Sequence, residues 1–310
     1  MFFPLSGVTV DPWLPPLVAF CISFVTSMGG ISGAFLLLPF QMSFLHYTYP
    51  SVSSTNQLYN IVAIPAGVYR YWREGRMLWP LTWTVVLGTL PGVLIGALVR
   101  VNGLRDPRNF KLFAAMVLLY IGGKLVLDQL KKNAGVKRQS EQRFQRAKSD
   151  AAANQVPQDY TVQVTASSLR RFSYTFQGEK FDVNRTGVFL LCFVVGIVGG
   201  IYGIGGGAII APFLVSFACL PIYTIGGATL MGTLVTSVAG VVFYTAIAPL
   251  YPQLAVAPDW LLGVLFGVGG MLGMYCGARC QKYVPARLIK WLLAAIILLT
   301  AGRYLFEFFA

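Results

Sequence analysis

One glycine-rich stretch of the chain decides the fold: Tyr202-Gly-Ile-Gly-Gly-Gly-Ala-Ile-Ile-Ala-Pro212-Phe213. It lies inside an apolar run, 187–215, which is longer than the roughly 20 residues that one membrane helix needs. Glycine permits positive φ and ends a helix, so several N–H groups lose their intrahelical partners. In lipid, such irregular backbone is tolerated only where it is buried in protein or lines a cavity. The stretch therefore predicts a broken helix with a functional role; close packing of small residues is the alternative.

The same pattern occurs earlier in the chain, in a weaker copy: Gly29-Gly-Ile-Ser-Gly-Ala-Phe-Leu-Leu-Leu-Pro39-Phe40. An offset of 173 residues superposes Gly33 on Gly206 and Pro39 on Pro212. We interpret this as an internal duplication in which each copy carries a glycine-broken apolar segment. In transporters, paired interruptions at matching places in two halves are the best sequence pointer to the binding site.

The composition places the chain in a membrane. Of 310 residues, 56% are apolar and only 11% are charged, whereas a soluble domain carries about 25% charged residues. The net charge of +13 is concentrated in short polar gaps between apolar runs, as the positive-inside rule describes, and this excludes nucleic-acid binding. The start of the chain has no positively charged region, which argues against a cleaved signal peptide.

Loop charges discriminate between two topologies. The apolar runs lie at 13–40, 52–71, 80–99, 110–130, 187–215, 224–247, 259–278 and 288–309. If every run spans the membrane, 14 basic loop residues lie on one side and 8 on the other. If 13–40 and 187–215 are re-entrant, 18 lie on one side and 4 on the other. The positive-inside rule favours the second arrangement. We therefore predict an all-α polytopic membrane protein of two homologous, inverted halves, each with a re-entrant hairpin and three transmembrane helices.

The predicted domains are a first membrane repeat, 1–130, a basic insert, 131–186, and a second membrane repeat, 187–310. Within the insert, Tyr160–Val164 and Phe172–Phe176 alternate apolar and polar residues, and Phe181 and Val183 continue the period of a strand. This indicates a small water-exposed β-hairpin, with a disordered linker as the alternative. The basic side should be cytoplasmic, which places the insert in the cytosol and both chain ends outside.

Neutral polar side chains on the helix after each break complete a candidate binding site. Asn56 and Asn60 are one turn apart, and the offset brings Thr229 and Thr233 onto them. Two half-helix N-termini suit an anion, and neutral hydrogen-bond donors could replace its water shell; helix–helix hydrogen bonding is the alternative. The predicted substrate-binding residues are Gly30, Ser32, Gly33, Asn56, Gln57, Asn60, Tyr202, Gly203, Gly205, Gly206, Gly207, Thr229, Thr233 and Thr236.

Other functions find little support. No Asp or Glu lies in the middle of an apolar run, which argues against a cation transporter and a carboxylate proton relay. We predict no enzyme activity, no cofactor and no metal site, because the chain offers neither a Ser/His pair within the membrane nor a His/Asp cluster. None of the five cysteines is in a CxxC motif. Two glycine series, Gly92/Gly96 and Gly269/Gly273/Gly277, are assigned to helix packing alone.

The two glycine motifs, together with Pro91-Gly-Val-Leu-Ile-Gly96, resemble the sulfite exporter TauE/SafE family of membrane permeases. The resemblance covers both membrane halves and implies a permease for sulfite or an organosulfonate in the bacterial inner membrane. Its partners would be a small sulfur-containing anion and the bilayer, with a homo-oligomer left open. The first copy departs from the second at Ser32 and Ala34, and the insert is longer than the family's short central loop. Two alternatives stay open: a sulfur-handling protein that uses the thiol of Cys21 or Cys192, and a membrane sensor whose output is the insert.

Overall fold

The computed structural model describes residues 1–28, 32–130, 162–176, 179–217, 220, 222–280 and 286–309. Predicted features at Gly29–Ile31, Gly30 among them, and in 131–161 lie outside the described residues. The helices before the insert are α1 (Leu14–Met28), α2 (Ala34–Ser43), α3 (Ser51–Ala63), α4 (Pro65–Arg73), α5 (Trp79–Asn102) and α6 (Pro107–Leu130). Those after it are α7 (Arg185–Tyr202), α8 (Gly206–Phe217), α9 (Ile222–Ile247), α10 (Trp260–Cys280) and α11 (Ala286–Phe309).

Among the described residues, six helices are long and apolar enough to cross a membrane, which confirms the prediction of a polytopic membrane protein. They are Trp79–Asn102, Pro107–Leu127, Arg185–Tyr202, Thr224–Leu250, Trp260–Gly277 and Trp291–Phe309. Leu14–Met28 and Ala34–Ser43 are apolar but shorter. Because α7 reaches the length of a span without α8, the re-entrant path of 187–215 stays a prediction, as does that of 13–40.

The run 52–71 does not form the single span that the sequence predicted. Its helix is interrupted at Pro65, which has no N–H to donate to the preceding turn, so α3 has 13 residues and α4 has nine. α3 is almost wholly buried, whereas α4 has no buried residue and carries the ion pair between Arg70 and Glu74, 2.8 Å. The prediction of an uninterrupted membrane helix here is wrong, since the polar end belongs to a separate amphipathic helix.

The halves pack reciprocally. α1 of the first half lies along α10 of the second, and α5 of the first lies along α7 of the second. Likewise α3 contacts α10 while α5 contacts α9, and α6 pairs with its counterpart α11. Each of these main contacts is therefore repeated with the halves exchanged, which is the pattern expected of a two-fold relation between duplicated units.

Glycine permits the closest of these contacts. A Cβ at Gly96 of α5 would lie 2.3 Å from the carbonyl oxygen of Ile197 in α7, and one at Gly273 of α10 would lie 2.3 Å from that of Phe20 in α1. Such distances put backbone directly against backbone, which only glycine allows. The assignment of both glycine series to helix packing is confirmed.

The insert ends in a three-stranded antiparallel sheet rather than a hairpin. Its order is β3–β4–β5 and its strands, numbered after the short N-terminal pair β1 (Phe2–Phe3) and β2 (Val8–Thr9), are β3 (Gln163–Ser167), β4 (Arg171–Phe176) and β5 (Glu179–Asn184). The predicted alternation is confirmed, because Phe172, Tyr174 and Phe176 are buried while their neighbours in β4 are not.

This sheet is not the fully water-exposed module that the sequence predicted, since the apolar face of β4 is covered. The Tyr174 hydroxyl lies 2.9 Å from Oγ1 of Thr224 at the start of α9, and Nε of Arg185 donates to Oγ1 of Thr84 on α5 over 3.1 Å. Burial raises the pKa of Tyr174 to about 12, although its bond to Thr224 acts in the opposite direction. The sheet is therefore docked on the start of α9, and Arg185, the first residue of α7, links Thr84 of α5 to the Ser168 carbonyl beside the sheet.

The N-terminal pair of strands was not predicted. It is held to the second half by Asp259, whose Oδ2 accepts from the amide and the hydroxyl of Ser6, at 3.2 and 2.9 Å. Asp259 also caps α10, because Oδ1 accepts from the amide of Leu262 over 3.1 Å. A buried carboxylate at the end of an apolar run thus has a structural role here.

Candidate functional site

The second glycine break is formed as the sequence predicts. α7 ends at Tyr202, and Gly203 follows with φ +80°, the left-handed conformation of a helix C-terminus. The amides of Gly203 and Ile204 both donate to the carbonyl of Gly199. Gly205 has φ +74°, and α8 begins at the next residue. Two left-handed residues separated by one position interrupt the helix, because a continuous right-handed helix cannot accommodate them.

The first break is described only at its end. α1 stops at Met28, α2 begins at Ala34, and the amide of Ala34 donates to Oγ of Ser32 over 3.3 Å. Gly33 lies against α1 and α3, because a Cβ there would be 2.4 Å from the Tyr59 hydroxyl and 2.8 Å from Oγ of Ser23. That hydroxyl pair is itself hydrogen-bonded at 2.7 Å.

Asn56 and Asn60 of α3 join the two breaks. Nδ2 of Asn56 donates to the carbonyl of Ala34 at the first break, over 3.1 Å, and to that of Gly203 at the second, over 3.2 Å. One turn later, Nδ2 of Asn60 donates to the carbonyl of Ile204 over 3.1 Å. Both side chains are fully buried. A single helix face therefore brings together the two halves of the predicted site.

The threonines of α9 lie on the opposite side of the second break. A Cβ at Gly207 would lie 2.1 Å from the carbonyl of Thr229 and 2.7 Å from Oγ1 of Thr233. Oγ1 of Thr236 accepts from the amide of Gly206 over 3.3 Å. Each of the three hydroxyls donates to a carbonyl of its own helix, three or four residues earlier. The three threonines therefore lie next to the second break, but their O–H groups donate to carbonyls of α9 and not towards the break.

Tyr202 and Gln57 complete the contacts between the halves. The Tyr202 hydroxyl donates to the carbonyl of Phe35 over 3.0 Å, which ties the end of α7 to the start of α2. Gln57 faces α9, because a Cβ at Gly240 would be 2.0 Å from its Oε1. Both atoms of the Gln57 amide are buried and neither has a hydrogen-bond partner among the described residues.

Of the predicted residues, all but Gly30 lie in the described part of the chain, and these converge on α3 and the two breaks. Ser32 is half-buried and the others are buried, Ala34 and Phe35 beside them. Two residues were missed. Ser53 donates to the carbonyl of Ile201 over 3.0 Å, and Ser237 accepts from Nδ2 of Asn60 at 3.4 Å. Ser237 lies four residues after Thr233, so an extension of the polar stripe by one turn would have found it.

The hydrogen-bonding character of the site differs from the expectation. We predicted that its amides and hydroxyls act as donors towards an anion, but the N–H groups of Asn56 and Asn60 are bound to main-chain carbonyls. The buried atoms that keep no partner are instead Oδ1 of Asn56 and Oδ1 of Asn60, together with the amide of Gln57. Among the described residues, the side chains beside the breaks therefore keep two unpartnered acceptors, Oδ1 of Asn56 and Oδ1 of Asn60, and the Gln57 amide keeps both a donor and an acceptor.

The described residues do not form a disulfide or a metal-binding cluster at this site. Cys192 is buried in α7, where its Cβ lies 2.7 Å from the position of a Cβ at Gly88, and Cys21 is exposed on α1. Neither has a disulfide partner in the described part of the chain. Among those residues, no group of three His, Cys, Asp or Glu side chains is arranged to hold a metal.

A polytopic helical protein with two reciprocally packed halves and broken helices that meet at one face belongs, by architecture, with the membrane transporters. The family model for the sulfite exporter TauE/SafE matches residues 16–304, and the chain belongs to that family. It is similar to the "Probable membrane transporter protein YdhB" of Bacillus subtilis (strain 168), with 26% identity over 122 residues. That alignment covers 39% of this chain and 46% of the relative, less than half of either. No solved structure matches the chain.

Proposed function

We propose that this TauE/SafE transporter is a permease for a small sulfur-containing anion, sulfite or an organosulfonate, across the bacterial inner membrane. The observation that carries the proposal is the pair of hydrogen bonds from Asn56, which joins a carbonyl of each break. The anion would lie between the breaks, near the N-termini of α2 and α8, whose partial positive charges face it. The two halves would move around it to alternate access.

The reciprocal packing of α1 with α10 and of α5 with α7 supports a duplication. We propose that the repeats 1–130 and 187–310 are inverted, with re-entrant hairpins, that the insert 131–186 is cytosolic, and that both ends lie outside. An alkaline phosphatase fused after Phe309 would be active in a bacterial host if that end is outside. Activity of the same fusion placed in the insert, and none at the C-terminus, would reverse the orientation.

Flux in proteoliposomes tests the function. Purified protein is reconstituted, and uptake of radiolabelled sulfite and sulfoacetate is followed in the wild type and in Asn56→Ala and Thr233→Ala. We expect at least about tenfold slower flux in Asn56→Ala, because two buried carbonyls lose their donor, at about 1–3 kcal/mol for each unsatisfied group. Thr82→Val serves as the matched control, since the Thr82 hydroxyl is buried but donates only to Leu78 of its own helix. Equal flux in all variants would discard the site.

The two alternatives are tested in the same assay. A variant without cysteines should retain its flux, because Cys192 packs against α5 and neither Cys21 nor Cys192 has a disulfide partner in the described residues. Loss of function on removing Cys21 or Cys192 would favour thiol chemistry. Undiminished transport after deletion of the sheet would make signalling through the insert secondary.

A further inference from the structure

Two amide oxygens at the meeting point of the breaks have no donor. Oδ1 of Asn56 and Oδ1 of Asn60 are buried, and no donor of the described residues lies within hydrogen-bonding distance of either atom. The two residues are one helical turn apart, and their Nδ2 atoms bond to consecutive residues of the second break, Gly203 and Ile204. Their amides therefore lie side by side along the break.

The orientation of these amides is set by their partners. A carbonyl oxygen can only accept, so the side-chain atom that lies 3.1–3.2 Å from Ala34 O, Gly203 O and Ile204 O must be the NH₂ group. Rotating either amide would place two acceptors in contact and lose the bonds that hold the break. The hydrogen-bonding capacity that Asn56 and Asn60 leave unsatisfied is therefore that of an acceptor.

The neighbouring groups do not compensate. The hydroxyls of Thr229, Thr233 and Thr236 donate to their own helix, and the amide of Gly206 donates to Thr236. A buried acceptor without a donor is costly, and a site built to bond a donor rejects an analogue that lacks it. A hydrogen-bond donor on the ligand would satisfy these two oxygens.

We propose that the site selects sulfur anions that carry their own hydrogen-bond donor, an O–H or N–H on or near the sulfur group, over anions of equal charge that carry none. This rests on the proposed function and refines its substrate class. The positive helix ends and Gln57 would hold the anionic oxygens, while the donor of the ligand would bond to Asn56 and Asn60. Sulfite would then enter as the protonated monoanion, and sulfate would be excluded.

A matched pair of ligands isolates this effect. Sulfamate and methanesulfonate have the same charge and nearly the same shape, but sulfamate presents an NH₂ group where methanesulfonate presents a methyl group. In wild-type proteoliposomes that transport radiolabelled sulfite, we expect sulfamate to inhibit at a concentration at least about tenfold lower than methanesulfonate, as one bond to an unsatisfied acceptor predicts. Asn60→Leu should bring the two inhibition constants together, whereas Thr82→Val should keep them apart.

A second arm distinguishes the kind of donor. If the donor is an O–H, wild-type sulfite flux should rise as the pH on both sides falls through the second pKa of sulfite, and Asn60→Leu should lessen that rise. A flat pH response would overturn the entry of sulfite as the protonated monoanion, because sulfite carries no other hydrogen-bond donor. Equal inhibition by sulfamate and methanesulfonate in a transporting wild type would overturn the inference and leave the proposed function standing. Absence of flux for every sulfur anion would remove both.

Discussion

Gly203→Ala is the substitution that most directly tests the broken helix. An L-residue at φ +80° costs about 1–2 kcal/mol. The new Cβ would also lie 2.4 Å from the carbonyl oxygen of Ser53, and inserting a methyl group into such a contact costs about 1–3 kcal/mol. Ser53 cannot easily yield, because its hydroxyl is bonded to the carbonyl of Ile201 at 3.0 Å. The expected destabilisation is therefore about 2–5 kcal/mol.

Two other glycines separate the causes of this effect. Gly7 has φ +67° but nothing within 4 Å of its Cβ position, so Gly7→Ala measures the backbone conformation alone. Gly302 is helical and also has nothing within 4 Å, so Gly302→Ala should be neutral or slightly stabilising. Each variant is heated in detergent, and the fraction that stays folded is measured by size-exclusion chromatography.

We expect Gly302→Ala to be the most thermally stable of the three variants, Gly7→Ala to be intermediate and Gly203→Ala to be the least stable. Sulfite flux should be lost in Gly203→Ala at temperatures where it is still folded, because the break can no longer keep its geometry. If Gly203→Ala were as stable as Gly302→Ala and transported normally, residue 203 would not need the left-handed conformation, and the argument from a broken helix would fail.

Three further predictions concern the scaffold. Gly96→Ala and Gly273→Ala should destabilise the detergent-solubilised protein by similar amounts, because both place a Cβ 2.3 Å from a main-chain oxygen in reciprocal interfaces; a large effect of only one would contradict the two-fold relation. Tyr174→Phe should lower the free energy of unfolding by about 0.5–1.5 kcal/mol and should speed trypsin cleavage at Arg170 and Arg171. The ratio of the variant to the wild-type cleavage rate should not change from neutral to mildly alkaline pH, since burial raises the Tyr174 pKa to about 12 and the phenol stays neutral below it. Asp259→Ala should lower the thermal transition by leaving the Ser6 and Leu262 amides unbonded, whereas Asp11→Ala, at an exposed position, should not.

Patterns of small residues were readable from the sequence because glycine has few structural uses. The run at 203–207 predicted a break, and the series at Gly92/Gly96 and Gly269/Gly273/Gly277 predicted close packing; both are as predicted. The two uses were distinguishable by spacing, since consecutive glycines remove helix-forming residues from one turn, whereas glycines four apart line one face. Membrane class followed from composition in the same way.

Features that depend on which distant residue a side chain contacts could not be predicted from the sequence. Pro65 divides the run 52–71 into two helices, although the hydropathy of the run alone is that of one membrane-spanning helix. The sheet of the insert docks on α9 through Tyr174 and Thr224, residues 50 apart in the chain, so neither half of that contact predicts the other. The same holds for Ser6 and Asp259, 253 residues apart, which join the N-terminal strands to the start of α10.

The polarity of the site shows why a list of residue types was not enough. Asn56 and Asn60 were identified correctly as the side chains at the break, yet an amide is donor and acceptor at once, and the sequence does not say which end faces the ligand. The choice is made by the carbonyls that the break exposes. A helix that stops inside a membrane leaves carbonyls without partners, and Gly203 O and Ile204 O obtain theirs from these two residues.

It follows that the stability of the break and the chemistry it offers are linked through the same two side chains. The Nδ2 groups of Asn56 and Asn60 satisfy main-chain carbonyls that the interrupted helix would otherwise leave unpaired in lipid. Because Nδ2 and Oδ1 lie on opposite sides of the amide, Oδ1 then points away from those carbonyls. A replacement that keeps the acceptor but lacks the donor, such as Asn60→Asp, would unbind Ile204 O and add a negative charge beside the proposed anion. A replacement that keeps neither, such as Asn60→Leu, would remove selectivity without that repulsion. We therefore expect Asn60→Asp to impair sulfite flux more than Asn60→Leu, and the reverse order would show that these oxygens do not face the transported anion.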